Sequence, residues 1–191
     1  MNRSTSHREV ILAGSGGQGL VLSAILLAEA AILDGNNVVQ TQSYGIASRG
    51  GLSLAEVIID REEIIFQQVR APDCVLALTE ETARKYEAWA AKGVPMLYDS
   101  TLAAARSGEH CHGYPFTRVA ADMGHPGSVN ILALGALVAR SPVVSSDSLR
   151  EAVRRRFGGA AAQINLQVLA AGAALGARQP APETSGEGAA R

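Results

Sequence analysis

The chain alternates short apolar runs with longer segments rich in alanine and leucine. Residues 9–13 carry apolar side chains on both faces and predict a central, buried strand. A glycine-rich stretch follows, and then a helix over residues 19–33 that ends near Gly35. Residues 38–42 alternate apolar and polar side chains and predict a second strand, and residues 52–59 predict a third.

The rest of the chain repeats strand and helix and then continues as helices alone. The pattern predicts strands at residues 74–78, 94–99 and 112–116, a few helical turns at 117–123, and helices at 80–91, 129–139, 149–157 and 160–175. This order indicates an α/β fold. We expect a three-layer, mostly parallel sheet with helices on both faces, Rossmann-like in architecture.

The pattern predicts one domain, because no repeat or linker divides the chain. Residues 9–177 are assigned to this single α/β domain. Residues 1–8 are polar, lack the apolar core of a signal peptide, and are predicted to be a disordered leader. Residues 178–191 are rich in Pro, Ser, Gly, Glu and Ala without periodicity, and predict a disordered tail.

The composition of the chain excludes several kinds of partner and metal centre. The 191 residues carry a net charge of −1, which favours neither nucleic acid nor a membrane surface as a partner, and only 4% are aromatic. The two cysteines, Cys74 and Cys111, form no Cys-x-x-Cys pair, so they cannot hold an iron–sulfur cluster or a structural zinc by themselves. We expect a cytoplasmic protein with reduced thiols.

No catalytic or metal-binding constellation emerges from the side chains. His110, Cys111 and His112 are adjacent, but neighbours on a strand point to opposite faces, so Cys111 would not share a site with the two histidines. No Ser/His/Asp or Cys/His set can be assembled. We therefore predict neither a catalytic residue nor a metal site in this chain.

A glycine cluster follows the first strand. Gly14, Gly16 and Gly19 satisfy G-x-G-x-x-G, and Gly17 is an additional glycine. Glycines let backbone N–H groups approach a ligand closely, and the following helix start favours an anion. The same residues also suit a tight turn that only packs the helix onto the sheet. The motif alone does not distinguish a ligand-binding site from a turn that serves only for packing.

An NAD-binding dehydrogenase is one reading of this motif. In that case the second strand should end in Asp or Glu to hold the ribose hydroxyls. It ends in Thr41 and Gln42, which counts against the dehydrogenase.

A second polar, glycine-rich loop follows the second strand, on the edge where open α/β sheets present ligand-contacting groups. It contains Ser43, Tyr44, Arg49, Gly50 and Gly51. An arginine beside two glycines suits a carboxylate, a phosphate or a partner subunit. A lone loop arginine can equally be solvated.

Three stretches together resemble one family. They are Gly14–Gly19, then Gln42–Gly45 continuing into Ser48–Gly51, and Asn130–Leu137. The chain resembles the gamma subunit of 2-oxoacid:ferredoxin oxidoreductases of the pyruvate, 2-oxoglutarate or ketoisovalerate type. Ile46, Ala47 and Ser48 stand where the family often has Pro-Glu-Ala.

The resemblance implies a complex that oxidatively decarboxylates a 2-oxoacid to an acyl-coenzyme A and passes electrons to ferredoxin or a related acceptor. It implies alpha, beta and possibly ferredoxin-like delta subunits, which would hold the thiamine diphosphate, Mg and iron–sulfur clusters. This chain alone would hold no cofactor and would be inactive in isolation. A stand-alone nucleotide-binding dehydrogenase and a purely structural assembly subunit remain the alternatives.

We expect the two glycine-rich loops to share a cleft that binds coenzyme A phosphates or shapes a subunit interface. The residues predicted to contact the cofactor are Gly14, Gly16, Gly17, Gln18, Gly19, Ser43, Tyr44, Arg49, Gly50 and Gly51.

Overall fold

The computed structural model describes residues 6–44 and 51–178. Six strands form one sheet in the order β2-β3-β1-β4-β5-β6. The strands are β1 (Arg8–Ser15), β2 (Asn37–Tyr44), β3 (Leu52–Asp60), β4 (Cys74–Ala77), β5 (Met96–Asp99) and β6 (Cys111–Tyr114).

Five strands point the same way and β3 points the opposite way. β1, β4, β5 and β6 pair in parallel, whereas β3 is antiparallel to both of its neighbours, β1 and β2. The prediction of a mostly parallel sheet is confirmed, and the sheet is mixed. Because β2 and β1 run in parallel, their carboxyl ends lie at the same edge of the sheet.

Helices cover both faces of the sheet, as predicted. They are α1 (Leu20–Leu33), α2 (Glu80–Ala90), α3 (Phe116–Asp122), α4 (Val129–Arg140), α5 (Ser146–Arg156) and α6 (Gly159–Gly176). The buried apolar side chains form two cores. The larger core lies between one face of the sheet and α1, α3, α4, α5 and α6, and the smaller core lies between the other face and α2. Among the helices of the described residues, none combines the length and the apolar character needed to cross a membrane.

The first two strands are longer than the hydrophobic pattern predicts. β1 runs two residues further, so Gly14 and Ser15 belong to the strand, and β2 continues through Ser43 and Tyr44. The reason is β3: it pairs Gly14 with Ser53, Ser43 with Leu54 and Tyr44 with Ser53 along its opposite sides. The predicted loop positions Ser43 and Tyr44 are therefore strand positions.

Both chain ends of the described part contact the domain. Ser6 Oγ donates a hydrogen bond to Asp60, and β1 begins at Arg8, one residue before the predicted strand. At the other end, Tyr114 Oη donates to the carbonyl of Arg178. Residues 1–5 and 179–191 lie outside the described residues, so the leader and tail remain predictions.

Candidate functional site

The glycine turn exposes backbone at the carboxyl edge of the sheet. Gly16 and Gly17 are exposed, and Gly17 and Gly19 have φ of 90° and 73°, which favours glycine. Helix α1 begins at Leu20, and no side chain of its N-cap, Gly19, can cap it. The first turn of α1 therefore presents N–H groups with partial positive charge at this edge.

Two members of the motif have a structural explanation. The Gln18 side chain folds back into the turn, where Oε1 accepts from Ser15 N at 2.7 Å and Nε2 donates to Leu78 O at 3.2 Å. A Cβ on Gly14 would lie 2.3 Å from that Oε1, so a larger residue would push the Gln18 side chain out of these hydrogen bonds. Gln18 connects the turn to the residue that follows β4, and Gly14 leaves room for its side chain. Gly16 and Gly17 are the exposed part of the turn.

The second loop returns directly to this turn. Gly16 N donates to Gly51 O at 3.0 Å, and Ser15 pairs with Leu52 at the start of β3. Ser43 is exposed near the end of β2, at the same edge. Ser43 and Gly51, the described ends of the second glycine-rich stretch, therefore lie at the same edge as the glycine turn. Arg49, Gly50 and the Tyr44 side chain lie outside the described residues.

One residue that supports the turn was not predicted as a site residue. Asn130, at the start of α4, is buried and donates from Nδ2 to Gly19 O at 3.1 Å. A Cβ on Gly19 would lie 2.6 Å from the same Nδ2. Ser23 of α1 donates to the backbone carbonyl of Asn130 at 3.4 Å. A polar residue at the head of an otherwise apolar helix was the only sequence signal for this role.

Within the described residues, the end of β2 carries no acidic residue of the kind that an NAD site would use. The predicted strand end, Gln42, is followed by Ser43 and Tyr44, where β2 ends. A carboxylate at this strand tip is what usually holds the ribose hydroxyls of NAD. The end of β2 therefore does not support the hypothesis of an NAD-binding dehydrogenase.

The histidine and cysteine cluster is not a shared site. His112 faces the larger core, where its Nε2 accepts from Arg140 Nε at 3.3 Å, whereas Cys111 packs against the smaller core on the other face. Burial, then the positive charges of Arg140 and His110, lower the pKa of His112 to about 4. His112 is therefore a neutral acceptor at neutral pH. Across residues 6–44 and 51–178, no three His, Cys, Asp or Glu side chains gather as metal ligands.

Comparison with known proteins decides the family. Residues 9–175 match the family described as pyruvate ferredoxin/flavodoxin oxidoreductase. The chain belongs to this family. The resemblance to a gamma subunit of 2-oxoacid:ferredoxin oxidoreductases, predicted from three short stretches, is confirmed.

Two curated relatives illustrate how this domain is used in other family members. The 2-oxoglutarate synthase subunit KorC of Archaeoglobus fulgidus is 43% identical over 129 residues, which are 67% of each chain. The ketoisovalerate oxidoreductase subunit VorA of Methanothermobacter thermautotrophicus is 33% identical over 168 residues. The aligned region covers 86% of the present chain but only 35% of VorA.

Solved structures agree on the fold. A keto/oxoacid ferredoxin oxidoreductase gamma subunit from Geobacter sulfurreducens is 36% identical, with a TM-score of 0.77 over 88% of this chain and 98% of that one. The TM-score is 0.80 for a 2-oxoglutarate:ferredoxin oxidoreductase from Magnetococcus marinus, which was solved with 2-oxoglutarate, coenzyme A and succinyl-CoA bound. It is 24% identical, covering 89% of this chain and 31% of that chain, and this likeness concerns the fold. The protein is thus a subunit of a 2-oxoacid:ferredoxin oxidoreductase.

Proposed function

We propose that this chain is the gamma subunit of a thiamine-diphosphate-dependent complex that converts a 2-oxoacid to an acyl-coenzyme A and passes electrons to ferredoxin. Within it, the edge formed by Gly16, Gly17 and Gly51 lies beside coenzyme A. The observation that supports this most directly is the Gly16–Gly51 hydrogen bond, which joins the glycine turn to the end of the second glycine-rich stretch.

The chemistry of the edge suits the phosphates of coenzyme A. Gly16 and Gly17 expose backbone without side chains, and the start of α1 contributes N–H groups with partial positive charge. Arg49, in the loop between β2 and β3, would add a guanidinium that can bind a phosphate through two hydrogen bonds. The role of these groups is to bind and orient the phosphates while acyl transfer takes place on another subunit.

The cofactors that carry electrons belong elsewhere in the complex under this proposal. The two cysteines lie on different strands, and burial raises the pKa of the fully buried Cys74 thiol far above its ordinary value. Iron–sulfur clusters need several thiolates in one place. This chain does not fit a cluster, so the partner subunits, which we take to be of alpha, beta and possibly delta type, would hold the clusters and thiamine diphosphate.

Two substitutions test the coenzyme A role in the assembled complex. We expect Arg49→Ala and Gly17→Ala to raise the Michaelis constant for coenzyme A about tenfold, the equivalent of roughly 1.4 kcal/mol of binding. The Michaelis constant for the 2-oxoacid should not change. A steady-state assay that varies each substrate separately measures both constants.

Gly35→Ala is the matched control for Gly17→Ala. Gly35 lies at the other end of α1, has φ of 78° and is exposed, and a Cβ at Gly35, like one at Gly17, would meet no atom within 4 Å. Both alanines therefore carry the same backbone strain. Unchanged coenzyme A constants in Arg49→Ala and Gly17→Ala would contradict the coenzyme A role and favour a purely structural subunit. Micromolar NADH binding by the isolated chain would instead revive the dehydrogenase.

A further inference from the structure

An irregular segment between β3 and β4 presents apolar side chains to solvent. We call residues 61–72 the 61–72 loop; it contains neither helix nor strand. Ile65 is 78% exposed and Phe66 is 57% exposed. The chain has three phenylalanines, and the other two, Phe116 and Phe157, pack in or against the larger core. Ile65 and Phe66 are consecutive and both exposed, and contiguous exposed apolar side chains are typical of interaction surfaces.

The backbone of the loop is fastened where it begins. Asn37 Nδ2 donates to the carbonyls of Arg61 and Glu62 at 3.0 and 3.1 Å. The Glu62 N–H in turn donates to Asp60 Oδ1 at 3.3 Å. The first two residues of the loop are thus tied to β2 and to the end of β3.

The loop is fastened again where it ends. Glu9 Oε2, at the start of β1, accepts from the N–H groups of Arg70 and Ala71 at 2.6 and 2.7 Å. His7 lies between the two attachment points, with Nδ1 at 2.8 Å from Asp60 Oδ2 and Nε2 at 3.0 Å from Glu9 Oε1. Glu9 and Asp60 are both buried. Buried polar groups therefore hold a loop whose apolar side chains face outwards.

The exposed tip has the chemistry of an interface anchor. The Arg70 guanidinium lies 3.9 Å from the centre of the Phe66 ring, so the aromatic ring and the arginine form a stacked pair. Aromatic and arginine side chains dominate the binding energy of protein interfaces. Because both ends of the loop are fixed, less conformational entropy would be lost on binding a partner than for a loop without these attachments.

The sheet beside the loop is open as well. Gln67 and Gln68 line a depression of about 440 Å³ together with Thr41, Gln42, Ser43, Leu54 and Glu56 of β2 and β3, so the depression extends to the carboxyl end of β2. On this face α2 contacts β1, β4 and β5. The loop and the uncovered part of the sheet make one continuous surface, and the loop ends lie at the edge opposite the glycine turn.

Two relatives contain much more polypeptide than the domain they share with this chain. VorA devotes only 35% of its length to the region matched by this chain, so in VorA about two thirds of the polypeptide lies outside the related domain. A second VorA, from Methanothermobacter marburgensis, has the same proportion at 31% identity. In this protein the corresponding polypeptide would be a separate subunit.

We infer that the 61–72 loop docks this chain onto the larger subunit that corresponds to the remainder of VorA, with Ile65 and Phe66 inserted into an apolar socket. The inference rests on the proposed function. The occupant is apolar at the centre of the contact, where Phe66 and Ile65 lie, and polar around it, where Gln67 and Gln68 lie.

Co-purification of the complex tests this surface. The larger subunit carries the affinity tag, and the untagged chain is wild type, Phe66→Asp, Ile65→Asp or the control Ile32→Asp. Ile32 is 59% exposed at the end of α1, so it matches the loop residues in exposure and chemistry but lies outside the 61–72 loop. We expect each loop variant to lower the recovered chain at least tenfold, and the control to be recovered like wild type.

Each other outcome overturns a defined statement. If wild type is not recovered with the larger subunit, the proposed function fails and the inference fails with it. If wild type and Phe66→Asp are recovered equally, the inference alone fails. If the isolated chain is a dimer by light scattering and Phe66→Asp makes it monomeric, a second copy is the occupant and the inference is wrong. Thermal unfolding of each variant verifies that the exposed substitutions leave the fold intact.

Discussion

At the scale of single residues, His112 is a buried ionisable group whose environment opposes its charge. It is 4% exposed on β6, and its Nε2 accepts from Arg140, so a proton on that nitrogen would break the contact. Burial, followed by the charges of Arg140 and His110, lowers its pKa from 6.5 to about 4. The folded protein therefore binds fewer protons here than the unfolded chain between these pH values.

Stability should consequently fall as the pH drops from 6.5 to 4. The contribution of neutral His112 is complete above pH 6.5 and is lost progressively towards pH 4, by up to about 3 kcal/mol. Urea unfolding across this pH range measures the free energy of unfolding. In His112→Gln, whose amide oxygen can still accept from Arg140, the slope in this range should be smaller. An identical slope in the two proteins would show that His112 does not cause it.

Sequence patterns locate the glycines of the candidate site but not the side chains that support them. The glycines that need positive φ or close packing are visible in the motif, because few other residues tolerate those positions. The role of Gln18 could not be predicted, since one partner is the carbonyl of Leu78, 60 residues away. Asn130 contacts Gly19 across 111 residues. Such contacts depend on the tertiary fold, which local patterns do not specify.

At the scale of elements, α4 and α6 pack backbone to backbone. A Cβ on Gly172 would lie 1.9 Å from the carbonyl oxygen of Leu132, and one on Gly135 would lie 2.3 Å from that of Leu169. These glycines let the two helices approach as closely as the larger core requires. The rigid carbonyls cannot move aside as a flexible side chain would.

Gly172→Ala should therefore destabilise the protein, although alanine favours a helix by about 1 kcal/mol over glycine. We expect a loss of roughly 2 kcal/mol or more, because the helices must separate. Chemical unfolding measures it. Ala174→Gly, at an exposed position of the same helix, should cost only the helix propensity of about 1 kcal/mol. A stabilising Gly172→Ala would mean that α4 and α6 are not packed this closely.

The elements themselves were largely predictable, and their directions were not. The helices at residues 129–139 and 160–175 lie within one residue of α4 and α6, since their apolar periodicity and glycine boundaries are local signals. The pattern of β3 is the same whichever way the strand runs, so its antiparallel direction was not visible. That direction is what extends β2 through Ser43 and Tyr44 and returns Gly51 to Gly16.

At the scale of the whole molecule, the sheet separates two surfaces. The glycine turn lies at the carboxyl edge of β1, and Glu9, which fastens the 61–72 loop, lies at the start of the same strand. β1 has eight residues, so these edges are roughly 25 Å apart at about 3.3 Å per residue. Ile65 and Phe66 line a depression with His7 and Glu9, so the apolar side chains of the loop lie at the edge opposite the glycine turn, whereas Gln67 and Gln68 line a depression that reaches Ser43.

Substitutions at the two edges should therefore act independently, because distant sites without shared partners have additive free energies. In complexes assembled at saturating subunit concentration, Gly17→Ala should raise the Michaelis constant for coenzyme A, and Phe66→Asp should not. Phe66→Asp should weaken subunit binding, and Gly17→Ala should not. The double variant should show both effects at the size found in the single variants. A double variant whose coenzyme A constant differs several-fold from that of Gly17→Ala would mean that subunit docking reaches the glycine turn, and the sheet would then transmit a change between its two edges.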